Sequence, residues 1–127
     1  MFISFLVALS LIEDHRQALK VREKKTLPIY REWLGDHPFT ATILNNLSNN
    51  YHALGEFDNA KRYSEDALKI RLELLKGHMD TAKSLFDLAM VHKEMMELET
   101  AKAYLERCKA MQEKVLDDTM NIRDLAR

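Results

Sequence analysis

Four residues at helical spacing, Thr42, Asn45, Asn49 and His52, are matched 41 positions later by Lys83, Phe86, Met90 and Lys93, and these eight side chains are the ones suited to grip another chain. Asn45 and Asn49 each offer both a donor and an acceptor, which is enough to clasp an extended backbone without demanding a particular sequence. Phe86 and Met90, four apart, make an apolar spot, and methionine adapts to varied surfaces. Lys83 and Lys93 suit a carboxylate, whether an acidic side chain or a chain terminus. At about 100° per residue the first four point away from the face that holds Leu47, and the second four are their equivalents. A competing reading leaves Asn45 and Asn49 merely solvated, with Phe86 and Met90 covered by a neighbouring helix.

Other chemistry falls away. The five histidines form no His-Glu-x-x-His pattern and no paired Cys/His spacing, so no metal is expected. There is no glycine-rich phosphate loop and no nucleophile elbow, so neither a cofactor, a small-molecule substrate nor an enzyme activity is expected. His37 and His78 recur with the 41-residue period, which points to a structural task at a helix start. His92 stands where a tyrosine-like core residue would sit, and Cys108 reads as a small apolar filler rather than a nucleophile. Net charge is −1, with acids and bases interleaved, which gives no footprint for nucleic acid or an acidic membrane. A single cysteine fits a reducing, cytoplasmic setting.

The elements that must position these residues come from the repeat itself. Residues 34–75 set against 75–116 give 12 identities in 42 pairs, among them His37/His78, Thr40/Thr81, Leu44/Leu85, Leu47/Leu88, Ala60/Ala101 and Tyr63/Tyr104. A fixed period in the 20–50 residue range marks stacked units, none of which buries its apolar face alone. With three glycines, two prolines and 46% hydrophobic residues in 127, the chain reads as all-α. Pro38 opens one helix, with Asp36 as its expected cap, and Ile43, Leu44, Leu47, Ser48 and Tyr51 form its apolar face. Gly55 supplies a turn, and Phe57 starts a second helix that runs to Leu75. Lys76-Gly77-His78 stops it. The plan repeats over about 79–95 and 98–116, and Asp117-Asp118-Thr119 reads as the cap of a last short helix, Met120 to Ala126.

The upstream register is open. Ile29 and Leu34 match Ile70 and Leu75 at a shift of 41, while Ala18 to Arg22 match Ala67 to Arg71 at a shift of 49. Both hold only if Pro28 breaks or kinks the segment, which is expected to be helical from about Glu13 to Lys25 and again to Leu34. Trp33 is expected to pack on the next helix pair. The apolar run Met1 to Ile12 is shorter than the roughly 20 residues that span a bilayer, so a membrane role is not expected. It lacks the leading positive charge of a signal peptide, although Ala8-Leu9-Ser10 has cleavage-like spacing. A helix packed on the first repeat, or the edge of a longer array, accounts for it better.

Leu44-x2-Leu47-Ser48-x2-Tyr51, Gly55-x-Phe57, Ala60, Tyr63 and Ala67 resemble the tetratricopeptide repeat. The longer period, Leu34-Gly35-Asp36-His37-Pro38, Leu44-Asn45-Asn46-Leu47 and Ala67-Leu68-Lys69-Ile70-Arg71 look most like the variant in kinesin light chains and nephrocystin-type proteins. The second unit departs from it, with Met96 for the turn glycine and Cys108 for an alanine. The resemblance implies helix-turn-helix units stacked as a short right-handed α-solenoid: residues 1–35 an N-terminal helix or partial repeat, 36–76 and 77–117 two repeats, and 118–127 a capping helix. It also places the eight residues on a concave groove lined by the first helix of each repeat. A protein or peptide partner is then expected in that groove. The alternative is a structural piece of a larger array, or self-association through the apolar ends.

Overall fold

The computed structural model describes residues 2–76 and 78–125. Met1 of the apolar run, the expected helix stop at Gly77, and Ala126 and Arg127 at the chain end lie outside the described residues. Those described form α1 (Phe2–Val21), a π-turn (Arg22–Thr26), α2 (Leu27–Leu34), α3 (Pro38–Ala53), α4 (Phe57–Leu74), α5 (Met79–Glu94) and α6 (Leu98–Leu125). Helix α3 packs against α4, α5 against α6, and α4 against α5, so two hairpins stack into a solenoid.

Each hairpin begins with a histidine. His37 has extended backbone and its Nδ1 accepts from the Phe39 N–H at 3.1 Å; His78 accepts from the Asp80 N–H at 3.0 Å in the same way. An otherwise orphaned helix N–H is thereby satisfied, the task of an N-cap. The cap of α3 is therefore His37 and not Asp36. Pro38 takes the first helical position, where a missing N–H costs nothing, and that fixes the cap one residue before it. Thr40 and Thr81 then tie each helix to the loop before it, their Oγ1 donating to Gly35 O at 2.8 Å and Leu75 O at 2.7 Å.

Small residues set the spacing of the helices. Ala41, Ala60, Ala67, Ala82 and Ala89 are completely buried, and Ser48 Oγ donates to Ala60 O at 2.7 Å across the α3–α4 contact. Larger side chains fill what remains: Leu44, Leu47, Tyr51, Tyr63 and Ile70 in one cluster, and Leu68, Leu85, Leu88 and Cys108 in the next. Ser64, at a place where an aromatic is usual, is fully buried, and its neighbour Tyr63 supplies the ring.

The N-terminal segment stays helical through Pro28. Its π-turn pairs the Leu27 N–H with Arg22 O, five residues back. That wider pairing passes the place where proline has no N–H to give, so the kink expected at Pro28 becomes a widened turn ahead of it. Leu19, Thr26 and Leu27 face the core, 41 residues before Ala60, Ala67 and Leu68. The 41-residue register therefore holds here and the 49-residue one does not. The segment sits on α3 as α4 sits on α5. Glu23, in the π-turn, fastens it: Tyr51 and Tyr63 both donate to its carboxylate at 2.5 Å, their rings stacked 5.7 Å apart.

Three expectations fail. The apolar run is not packed on the first repeat, since Ile3, Phe5, Leu6, Val7, Leu9, Leu11 and Ile12 are all exposed. Trp33 is 81% exposed, so it does not pack on the next pair. No cap forms at Asp117-Asp118-Thr119, because Thr119 Oγ1 bonds back to Val115 O at 2.9 Å within an unbroken α6.

Two outcomes check this account. Met96 holds φ +62° at the turn where the first hairpin has Gly55 at +76°. A side chain in that left-handed region costs about 1–2 kcal/mol, so Met96→Gly should raise the unfolding free energy by roughly 1 kcal/mol in urea titration. Burial alone would raise the Glu23 carboxyl, but the bonds from Tyr51 and Tyr63 and the charge of Arg62 outweigh it and hold it below its ordinary 4.5. A depressed carboxyl supplies stability in full above its unfolded value and loses it as pH falls through the folded value. Wild type should therefore lose more stability than Glu23→Gln between pH 5 and pH 3, about the reference range for a glutamate.

Candidate peptide-binding face

The first helices of the two hairpins, α3 and α5, lie side by side, and one hydrogen bond crosses between them. Asn45 Nδ2 donates to Asp87 Oδ2 at 3.3 Å. Sharing Asp87 with that bond is a pocket of about 140 Å³, lined by Asn49, His52, Asp87, Met90 and Val91. The space equals roughly four to five waters at their liquid volume, which is room for one side chain and not for a drug-sized ligand.

Three of the eight sequence-expected residues thus meet in one place: Asn49 and His52 from α3, and Met90 from α5. Asn49 is exposed at the rim and Met90 is half-buried. His52 is held by its edge contact with Phe57, ring centroids 5.5 Å apart, and its Nε2 is enclosed without a hydrogen-bond partner. Thr42, Lys83, Phe86 and Lys93 stay on the outer surface of the same two helices and do not line the pocket. Phe86 is 47% exposed, so no neighbouring helix covers it. Thr42 Oγ1 is turned back to Pro38 O at 3.1 Å.

Asn45 departs from expectation. It is only 2% exposed, with its amide nitrogen committed to Asp87 and its Oδ1 unpartnered. Stacking of α5 against α3 covers the position that a single helix would leave open. Asn45 therefore supports the pocket floor and cannot clasp a backbone directly.

Asp87 and Val91 were missed. Carrying Thr42, Asn45, Asn49 and His52 forward by 41 skips Asn46 and with it Asp87. The signal was available: Asp87 follows Lys83 by four and precedes Met90 by three, so all three share one helix face. Burial raises the Asp87 carboxyl above its ordinary value, offset in part by the Asn45 bond and the charges of Lys83, Arg71 and His52. Among the described residues no basic group lies within ion-pair distance of it.

Beneath the face, Arg71 is 5% exposed and donates to Ser84 Oγ at 2.5 Å and Asp80 O at 3.2 Å, joining α4 to α5. Cys108 is buried with its Sγ directed to Ala82 O at 3.2 Å. Burial pushes its thiol up, which is the opposite of an activated nucleophile. Among the described residues no group of His, Cys, Asp and Glu is placed to hold a metal ion, and no helix is long and apolar enough to cross a membrane.

Comparison with known proteins agrees with this geometry. No curated protein sequence matches the chain. Among solved structures, BtubC (BKLC) from P. vanneervenii superposes with a TM-score of 0.66 at 26% identity. The match covers 69% of this chain and 36% of that one, so the chain spans about a third of that relative's length. The tetratricopeptide repeat family model matches residues 7–73 and again 50–114. The first of those spans takes in the N-terminal helical segment as well as the first hairpin. With its capped, small-residue hairpins stacked at a 41-residue period, the chain belongs to the tetratricopeptide repeat family, whose repeats mediate contacts between proteins.

Proposed function

We propose that the chain is a non-enzymatic interaction module, working in the cytoplasm as an adaptor or scaffold, that holds an extended segment of a partner protein along α3 and α5. The observation that carries this is the pocket between the two first helices, where Asn49, His52, Asp87 and Met90 converge beside the exposed ring of Phe86. A pocket that bridges successive repeats receives one side chain of a segment lying across both helices. Asn49 at the rim has an amide free to bond that segment's backbone, and Phe86 gives it an apolar anchor. Thr42, Lys83 and Lys93 extend the same surface, with the lysines suited to acidic groups flanking the contact.

The test is a selection of peptides from a random display library on the purified chain. Affinity for the selected sequences is then measured on wild type and on the Asn49→Ala/Phe86→Ala variant. Both residues lie outside the core, so the variant should melt with wild type while binding weakens by about 1–3 kcal/mol. Unchanged affinity would remove the face as the binding surface.

A second reading is self-association as a structural unit. It rests on the exposed apolar side chains of α1 from Ile3 to Ile12, and on Leu116, Met120, Ile122 and Leu125 along α6. Apolar surface of that extent on a soluble chain marks a contact site. Light scattering should then give a mass above that of one 14.8 kDa chain, rising with concentration. A concentration-independent monomer would end this reading.

A further inference from the structure

We infer that the pocket between α3 and α5 selects a lysine side chain of the bound segment, with Asp87 as the residue that reads its charge. The inference rests on the peptide-binding reading above and names what that site recognises. Four features of the pocket support it.

One is charge. Asp87 lies half-buried at the floor, and among the described residues no cation pairs with it. Lys83, one helical turn away on α5, is exposed and makes no ion pair with it. A half-buried carboxylate lacking a counter-charge is costly to the fold, and an incoming ammonium would relieve it. Asp87 is thus a group that the folded chain tolerates and a ligand would satisfy.

Another is the number of acceptors. An ammonium has three donors and no acceptor. Asp87 holds one carboxylate oxygen outside its bond to Asn45, and Asn49 lines the same space with an amide that can accept. Two acceptors on one small space suit a compact point charge, with water left to take its third donor.

A third sets lysine apart from arginine. The guanidinium is strongest where it takes both oxygens of a carboxylate through its fork. Here Oδ2 of Asp87 is already taken by Asn45, whose own position is fixed by 98% burial (2% exposure) between the helices. A guanidinium fork would have to share that oxygen with a fixed amide, whereas an ammonium needs only the other one, so the fork loses part of its advantage. Shape adds a fourth feature. Met90 and Val91 line the wall, so a four-carbon stem can lie on apolar surface while its head reaches Asp87.

The experiment uses the whole chain and a random-peptide display library, followed by synthetic versions of the most enriched peptide titrated by fluorescence anisotropy. Enriched peptides should share a lysine at one position. Exchange of that lysine for norleucine should weaken binding to wild type about tenfold, as expected for loss of a charge-assisted contact. The isosteric variant Asp87→Asn should bind the lysine peptide about tenfold more weakly and be nearly indifferent to the exchange, while melting no lower than wild type. Peptides without a shared lysine, an arginine version binding as well as the lysine one, or an undiminished exchange effect on Asp87→Asn would each overturn the lysine assignment and leave the groove standing. No enrichment on well-folded wild type would overturn the groove itself. The exchange on wild type reads the assignment even where Asp87→Asn does not fold.

Discussion

The geometry of the α3–α5 face rests on how closely α3 and α4 approach. Ala41, Ala60 and Ala67 put only a methyl group each between the helices, and the Ser48–Ala60 hydrogen bond at 2.7 Å ties them together within the contact. A serine hydroxyl reaching a main-chain carbonyl requires nearly touching backbones, and it also satisfies a buried donor that would otherwise cost about 1–3 kcal/mol. On that hairpin α5 docks with Leu85 and Leu88 against Leu68, and Asp87 meets Asn45. A larger residue at Ala60 would part the hairpin by its own width and carry the pocket walls with it.

The same constraint explains how different chemistry serves in equivalent places. In the first hairpin the Tyr51–Tyr63 stack donates two hydrogen bonds to Glu23, a residue from the preceding helical segment. In the second, His92 stacks on Tyr104 at 5.4 Å, and its Nδ1 pairs at 2.6 Å with Glu97, a residue of its own turn. The position that would repeat Glu23 is Ser64, too short to span to the stack and left without a partner. The aromatic pair persists because its volume is needed. Its polar atoms take whatever carboxylate the local chain provides, from the neighbour in one unit and from within in the other.

How far the sequence could be read depended on whether a feature was periodic. The period of 41 carried the four helices of the two hairpins, the buried leucines and the role of His37 and His78 at helix starts. Those properties repeat because each unit meets the same neighbours. Features that occur once were read poorly. Pro28 is expected to break or kink the segment, and the chain instead widens the turn before it, the same turn from which Glu23 reaches Tyr51 and Tyr63. Asp117 to Thr119 carry the composition of a cap, yet nothing packs there to force a new direction, so α6 continues. Asn45 and Asp87 fall between the two cases. Each is visible on its own helix, but how deeply each is buried is decided by contact between repeats, which no single helical wheel contains.

The second hairpin shows that its turn is determined by the helices it joins more than by the turn's own residues. Gly55 N–H bonds to His52 O and Glu56 N–H to Tyr51 O; one repeat later Met96 bonds to Lys93 O and Glu97 to His92 O, at distances that agree within 0.1 Å. Nothing would collide with a Cβ at Gly55, so the glycine serves backbone freedom alone. Met96 adopts the same left-handed conformation without that freedom. The strain is carried because Leu88, Ala89 and His92 on α5, and Ala101 on α6, are buried by the same packing as their counterparts, and this fixes both ends of the turn. A tight junction maintained against local preference implies that the placement of α6 relative to α5 is set by the packing of the two helices and not by the turn that joins them.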